Sequence, residues 1–193
     1  FDGEDGAARF AHMVPNAALD VALDARCAAL GIEEIADSVR IYDEDETGIT
    51  ARLAGGDSRR GALLVAADGR ESRLRAIAGI GTVEHAYGQY GIVGTLSHER
   101  PHEGTATQHF LPNGPFAMLP LKGNRSSIVW SEREPFARSL AQMYPFMAAL
   151  EIERVFGLSL GRLTLEGPLQ AYPLKAILAR DYAAGRLVLA GDA

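Results

Sequence analysis

The chain has 193 residues, with 19 Lys+Arg against 25 Asp+Glu, a formal net charge of −6. That length suits one domain or one domain plus part of another, and 47% hydrophobic with 23% charged residues is ordinary for a globular protein with a real core. An acidic balance argues against a nucleic-acid face, and a single cysteine, Cys27, excludes a disulfide framework and a cysteine zinc site.

Residues 1–9 are Gly- and acid-rich and are expected to be loose. Asn16 is expected to cap a helix over 17–30, with Leu19, Leu23, Cys27 and Leu30 on one face and Gly31 closing it. Residues 39–42 and 49–53 alternate like strands around the acidic turn Asp43-Glu44-Asp45-Glu46-Thr47-Gly48. That turn lacks the carboxylate ladder of an EF-hand and is expected to be a solvated hairpin tip.

Leu63-Leu64-Val65-Ala66-Ala67 has the pattern of a strand buried on both faces. It runs into Asp68-Gly69-Arg70-Glu71-Ser72-Arg73-Leu74-Arg75, where Asp68 and Glu71 have capping-box spacing. Strand, turn and helix N-terminus in that order would offer N–H groups to a phosphate.

From Gly81 onward, strand-like stretches at 90–97, 105–111, 116–121 and 126–130 alternate with Pro/Gly/Asn turns, the pattern of an antiparallel meander. A helical stretch follows over 135–156, then strands at 163–172 and 187–190. No apolar run approaches the ~20 residues of a membrane span, and no charged-then-apolar leader opens the chain. The fold expected is α+β: an α/β portion interrupted by a mostly antiparallel sheet, with boundaries at 1–81, 82–175 and 176–193.

Several motifs fail on context. Gly157-Leu158-Ser159-Leu160-Gly161 matches a hydrolase nucleophile elbow, but a helix precedes it where a strand is required. Gly79-Ile80-Gly81 has Glu84 at the third glycine position of a dinucleotide loop, and a helix before it. His98 and His102 are four apart, but Pro101 between them prevents a shared helical face. No metal site is expected.

The two strand-to-turn signals, Ala67-Asp68-Gly69 and Ala190-Gly191-Asp192-Ala193, flank the β-rich stretch. With them the order of features resembles the class A flavoprotein aromatic hydroxylases, the p-hydroxybenzoate hydroxylase fold, and within these the ubiquinone-biosynthesis hydroxylases of the UbiH/UbiF/COQ6 family. Residues 16–23 resemble the family's N-x-x-L-x-x-x-L helix, and residues 67–75 match its A-D-G-x-x-S-x-x-R fingerprint. Tyr87-Gly88-Gln89, residues 99–102, 110–115 and 119–121, Ser127-Ile128-Val129-Trp130 and Tyr172-Pro173-Leu174 resemble the subgroup's sheet, and Gly191-Asp192-Ala193 the start of its G-D-A-A-H motif.

The resemblance implies FAD as cofactor and NAD(P)H as co-substrate, with Asn16, Asp68, Gly69, Ser72, Arg75, Gly191 and Asp192 as cofactor-binding residues. No catalytic residue is assigned. It implies O₂ and a hydrophobic aromatic substrate, the ring of a polyprenylated phenol. Peripheral association with the inner membrane or a multi-enzyme complex is left open for a cytoplasmic enzyme. The alternatives are a same-fold monooxygenase acting on another hydrophobic substrate, or a non-catalytic quinone- or lipid-binding module. The family's G-x-G-x-x-G does not occur here, and the chain opens on Phe1 and stops at Ala193, directly after the Gly-Asp. The expectation is an excised piece of a larger enzyme, inactive alone and without tightly held FAD.

Overall fold

The computed structural model describes residues 11–193, so the expectation for residues 1–9 lies outside the described part. In chain order the elements are α1 (Asn16–Ala29), β1 (Val39–Asp45), β2 (Gly48–Leu53), β3 (Ser58–Gly61), β4 (Leu64–Ala66) and α2 (Arg73–Ile77). There follow β5 (Thr82–His98), β6 (Thr107–Leu111), β7 (Gly114–Pro120), β8 (Arg125–Arg133), α3 (Glu134–Gln142), α4 (Pro145–Phe156), β9 (Leu163–Ala179), β10 (Ala183–Ala184) and β11 (Leu187–Leu189). The described residues form two compact units, one of residues 11–30 and 86–174, the other of 31–85 and 175–193.

In the first unit the sheet order is β6-β7-β8-β5-β9, with the pairs β6/β7, β7/β8 and β8/β5 antiparallel. Strand β8 buries Ser126, Ile128, Trp130 and Glu132 at strict period two. Ile128 and Trp130 join Ile92, Leu96, Phe116 and Met118 against Ala137 and Leu140 of α3 and Ala148, Ile152 and Phe156 of α4. Trp130 meets Phe116 and Phe136 edge-on, at centroid distances of 5.4 and 5.3 Å. Each fully buried Ile, Leu or Phe contributes about 1.5–3 kcal/mol relative to exposure. A Cβ at Gly94 would lie 2.5 Å from Leu169 Cδ2, so the missing side chain lets β9 close on β5.

The helical stretch expected over 135–156 is two helices. Pro145 disfavours helical backbone at Tyr144, and both Met143 (ψ 154°) and Tyr144 (ψ 140°) are extended. Helix α1 begins one residue earlier than expected. Pro15, extended at φ −61°, ψ 135°, is the N-cap, and Asn16 is the first helical residue with no side-chain cap bond. Its apolar stripe is not buried: Leu19, Leu23 and Leu30 are exposed and Cys27 half-buried. Gly31 does close the helix, at φ +65°.

The second unit holds two three-stranded sheets, β1-β2-β3 antiparallel throughout and β10-β11-β4. Strand β3 was not expected; Ser-Arg-Arg-Gly has no apolar residue and is exposed along its whole length. In the other sheet β11 runs parallel to β4, pairing Leu187 with Leu64, Val188 with Val65 and Leu189 with Ala66. Ile49, Ala66, Leu74, Ile80 and Leu187 form this unit's core. The expectation that β4 is buried on both faces is corrected: Ala66 is fully buried, but Val65 is 51% exposed.

Candidate functional site

Strands β4 and β11 are parallel neighbours, so the segments leaving them leave on the same side. Ala190 N donates to Ala66 O at 2.9 Å, and the chain continues as Ala67-Asp68-Gly69 from one strand and Gly191-Asp192 from the other. Residues more than 120 positions apart thus come to the carboxyl ends of adjacent parallel strands, where open α/β sheets place their ligands. Gly69 (φ +80°) and Gly191 (φ +65°) both need left-handed backbone, and a Cβ on either would meet nothing within 4 Å. Among the described residues, the backbone N–H groups of Gly69, Arg70, Gly191 and Asp192 donate to no backbone or side-chain acceptor. The site therefore combines open space with unspent donors.

The fingerprint side chains work inside the loop. Asp68 Oδ1 accepts from Ser72 Oγ at 2.6 Å, while Asp68 Oδ2 accepts from Arg73 N at 2.8 Å and Leu74 N at 3.1 Å. Ser72, only 3% exposed, caps α2 by accepting from Arg75 N at 2.9 Å, and the Arg75 guanidinium donates to Arg70 O at 2.9 Å. Partial burial pushes the Asp68 carboxyl up, but the hydrogen bonds from Ser72, Leu74, Arg73 and its own N–H outweigh that and hold it below its ordinary value.

This corrects two expectations. The cap of α2 is Ser72, and Glu71 completes no capping box; its carboxylate lies 3.8 Å from Lys175 Nζ instead. Nor is the start of α2 open to a phosphate: the helix has five residues, and its first donors are taken by Asp68 and Ser72. Asp68, Gly69, Ser72, Arg75, Gly191 and Asp192 belong to one unit, whereas Asn16 stands at the start of α1 in the other.

The other polar clusters are structural. Asp45 accepts from Thr47 N, Thr47 Oγ1, Gly48 N and the Arg60 guanidinium, which together hold its carboxyl far below its ordinary value. Arg186 clamps the same hairpin through the carbonyls of Asp45, Glu46 and Ala62. His98 Nδ1 lies 2.7 Å from Arg100 O, and His102 lies between Leu121 O and Gly104 N. His98 Nε2 also lies 3.1 Å from Ser126 Oγ, so both ring nitrogens of each imidazole are engaged, and no metal-ligating cluster occurs among the described residues. Gly157 is the C-cap of α4 at φ +87°, which accounts for the G-x-S-x-G spacing.

The second face of the five-stranded sheet is the other candidate surface. Register places Val93, Val129, Ala117 and Gln108 in one row across β5, β8, β7 and β6, and Thr95, Ser127 and Leu119 in the next. Phe110 faces Pro115 on the same side. These side chains are uncharged, while Arg125 and Arg133 of β8 stand at the two ends of the same face, opposite Ser97 and Gln89. Val129 is 40% and Phe110 86% exposed. Sequence reading missed Phe110 as a surface anchor, although the alternation of burial along β6 follows its period.

A family model described as an FAD binding domain matches residues 2–193. The ubiquinone hydroxylase UbiL of Rhodospirillum rubrum is 42% identical over 184 residues, which is 94% of this chain and 43% of that protein. The 3-demethoxyubiquinol 3-hydroxylase of Escherichia coli K12 is 36% identical over 143 residues, 73% of this chain and 36% of the relative. The chain thus spans less than half the length of these relatives. Among solved structures, the flavin-dependent monooxygenase PieE, in complex with FAD and substrate, matches with a TM-score of 0.69 at 18% identity over 93% of this chain and 34% of its own. The aromatic hydroxylase CabE, from angucycline biosynthesis, matches with a TM-score of 0.63 at 20% identity, covering 97% of this chain and 39% of its own. Those structures share the α+β fold, and the family match runs over essentially the whole sequence: the chain belongs to the FAD-binding domain family, with ubiquinone-biosynthesis hydroxylases among its relatives.

Proposed function

We propose that this chain is part of an FAD-dependent aromatic monooxygenase that hydroxylates the ring of a polyprenylated phenol in ubiquinone biosynthesis, with NAD(P)H and O₂ as co-substrates. The observation that carries the reading is the side-by-side placement of Asp68-Gly69 and Gly191-Asp192 at the carboxyl ends of β4 and β11. The residues present fit FAD: glycine-opened space and unspent N–H groups suit the hydroxyl and phosphate oxygens of a dinucleotide. Gly69, Gly191 and Asp192 would hold it directly, and Asp68, Ser72 and Arg75 would fix the loop that presents Gly69. Asn16 is proposed as a further cofactor contact. When bound, FAD supplies the redox chemistry, taking electrons from NAD(P)H and using O₂ to oxygenate the ring.

For the substrate, the central rows of the five-stranded sheet's second face, with Val93, Ala117, Val129 and Phe110 and with the two β8 arginines kept to its ends, suit a ring with a hydrocarbon tail. We accordingly propose the segments 1–81 and 176–193 as the cofactor side and 82–175 as the substrate side. No helix among the described residues is long and apolar enough to cross a membrane. A prenylated substrate would be met at the cytoplasmic surface of the inner membrane, alone or within a multi-enzyme complex.

The test uses the longer natural protein. Stoichiometric flavin, together with hydroxylation of a prenylated phenol driven by NAD(P)H, is the expected result. NAD(P)H oxidation without ring hydroxylation would move the reading to another hydrophobic substrate. A protein without flavin would leave a quinone- or lipid-binding module.

A further inference from the structure

We infer that the turn between α3 and α4 is a membrane-docking tip that seats in the lipid of a bilayer surface. The twelve residues from Ser139 to Leu150 contain no charged side chain. Pro145 breaks the helix there, and the extended backbone at Met143 and Tyr144 turns the chain outward. Tyr144 is 83%, Phe146 70% and Met147 51% exposed, three large side chains within four residues. Directly behind them lies an apolar cavity of about 400 Å³, lined by Leu140, Met143, Pro145, Ala148, Leu165 and Pro168.

The occupant follows from size and charge. At roughly 200 Å² per large side chain, the tip offers about 400 Å² of surface, half of the ~800 Å² each partner contributes to a stable protein interface. A small uncharged tip ending in Tyr, Phe and Met is the composition of an interfacial lipid anchor, with the tyrosine hydroxyl at headgroup depth. The nearest flanking cations are already paired, Arg138 with Glu134 and Arg154 with Glu151. Attraction to anionic headgroups therefore has no free charge at the tip, and binding is apolar and insensitive to salt. The cavity gives a lipid hydrocarbon segment somewhere to go, which a flat protein partner would leave empty.

The inference rests on this surface and does not need the hydroxylase reading, since its test measures no activity. The purified chain is floated with vesicles of phosphatidylcholine alone, at low and at high salt. The expected result is flotation at both, reduced roughly tenfold or more in Phe146→Ser and in Tyr144→Ser. Both side chains are exposed, so thermal melting should be unchanged and should separate lost docking from lost folding. Failure of the parent chain to float, or equal flotation of the variants, would overturn the proposal. So would binding abolished by salt, or a dimer in sedimentation that Phe146→Ser dissociates.

Discussion

Replacing Asp68 tests whether the fingerprint aspartate holds its own loop. Its two oxygens accept three hydrogen bonds from other residues, Ser72 Oγ at 2.6 Å, Arg73 N at 2.8 Å and Leu74 N at 3.1 Å. Removing a side chain that serves helix N-terminal donors costs about 0.5–2 kcal/mol, and hydrogen bonds to a charged group lie at the upper end. Asp68→Ala should therefore lose about 2 kcal/mol at pH 7, and Asp68→Asn, which keeps one acceptor oxygen, about 1 kcal/mol. For a chain of this size that is roughly 4–8 °C and 2–4 °C in melting temperature.

The pH dependence has a definite sign. The folded state holds the Asp68 carboxyl below its ordinary value, so its stabilisation is fully present above the unfolded pKa and is lost as pH falls through the folded one. The gap between parent and Asp68→Ala should be constant at neutral pH and narrow below about pH 4. Amide hydrogen exchange adds a local readout, because Arg73 and Leu74 should lose protection before the rest of the unit. An unchanged melt with lost flavin binding would refute the reasoning and make Asp68 a ligand contact.

Four further outcomes follow from the same geometry. Gly114 (φ +136°) lies where a Cβ would be 2.7 Å from Ser131 Cβ, so Gly114→Ala should destabilise by about 2–3 kcal/mol in urea unfolding. Ile152 is fully buried in the core of the first unit, and Ile152→Ala should cost about 3 kcal/mol by the same measurement. Arg186→Ala removes donors to the carbonyls of Asp45, Glu46 and Ala62; exchange should accelerate at the 43–48 hairpin, with a global loss of only about 1 kcal/mol. The purified 193-residue chain, which has no G-x-G-x-x-G, should release FAD during gel filtration, and retention of stoichiometric flavin would contradict this.

How much of this was legible in the sequence depends on whether the deciding interaction leaves a periodic trace. Ile128 and Trp130 alternate with Val129 because one face of β8 is buried, and that alternation is readable directly. Strand β3 pairs with β2 through its backbone and the polar contact from Arg60 Nη1 to Thr50 Oγ1 at 3.1 Å, so its Ser-Arg-Arg-Gly carries no apolar period to read. The exchange of capping roles between Asp68 and Ser72 turns on a few ångströms of loop path, which spacing alone does not resolve. Pro15 likewise displaced Asn16 from the cap, since its fixed φ suits the extended N-cap position. The pairing of β4 with β11 joins residues more than 120 apart; each strand was readable as an apolar run, but their adjacency came only through the resemblance.

That adjacency also separates two roles that the fingerprint mixes. Asp68 and Ser72 bond each other and the loop backbone, and Arg75 places one guanidinium nitrogen on Arg70 O, so on the proposed reading their loss would act through the path of residues 68–75. Gly69 and Gly191 present left-handed backbone beside open space, and their N–H groups stay unspent. A side chain added at either glycine costs backbone strain but meets no protein atom, so any further loss of cofactor affinity must come from the space it fills. The two classes of variant are therefore distinguishable. Loop residues should couple stability to affinity, each falling with the other, whereas Gly191→Val should lose more affinity than its backbone strain alone explains. That difference in coupling, if measured, would place the ligand on the main chain of the two turns and leave the motif's side chains as their support.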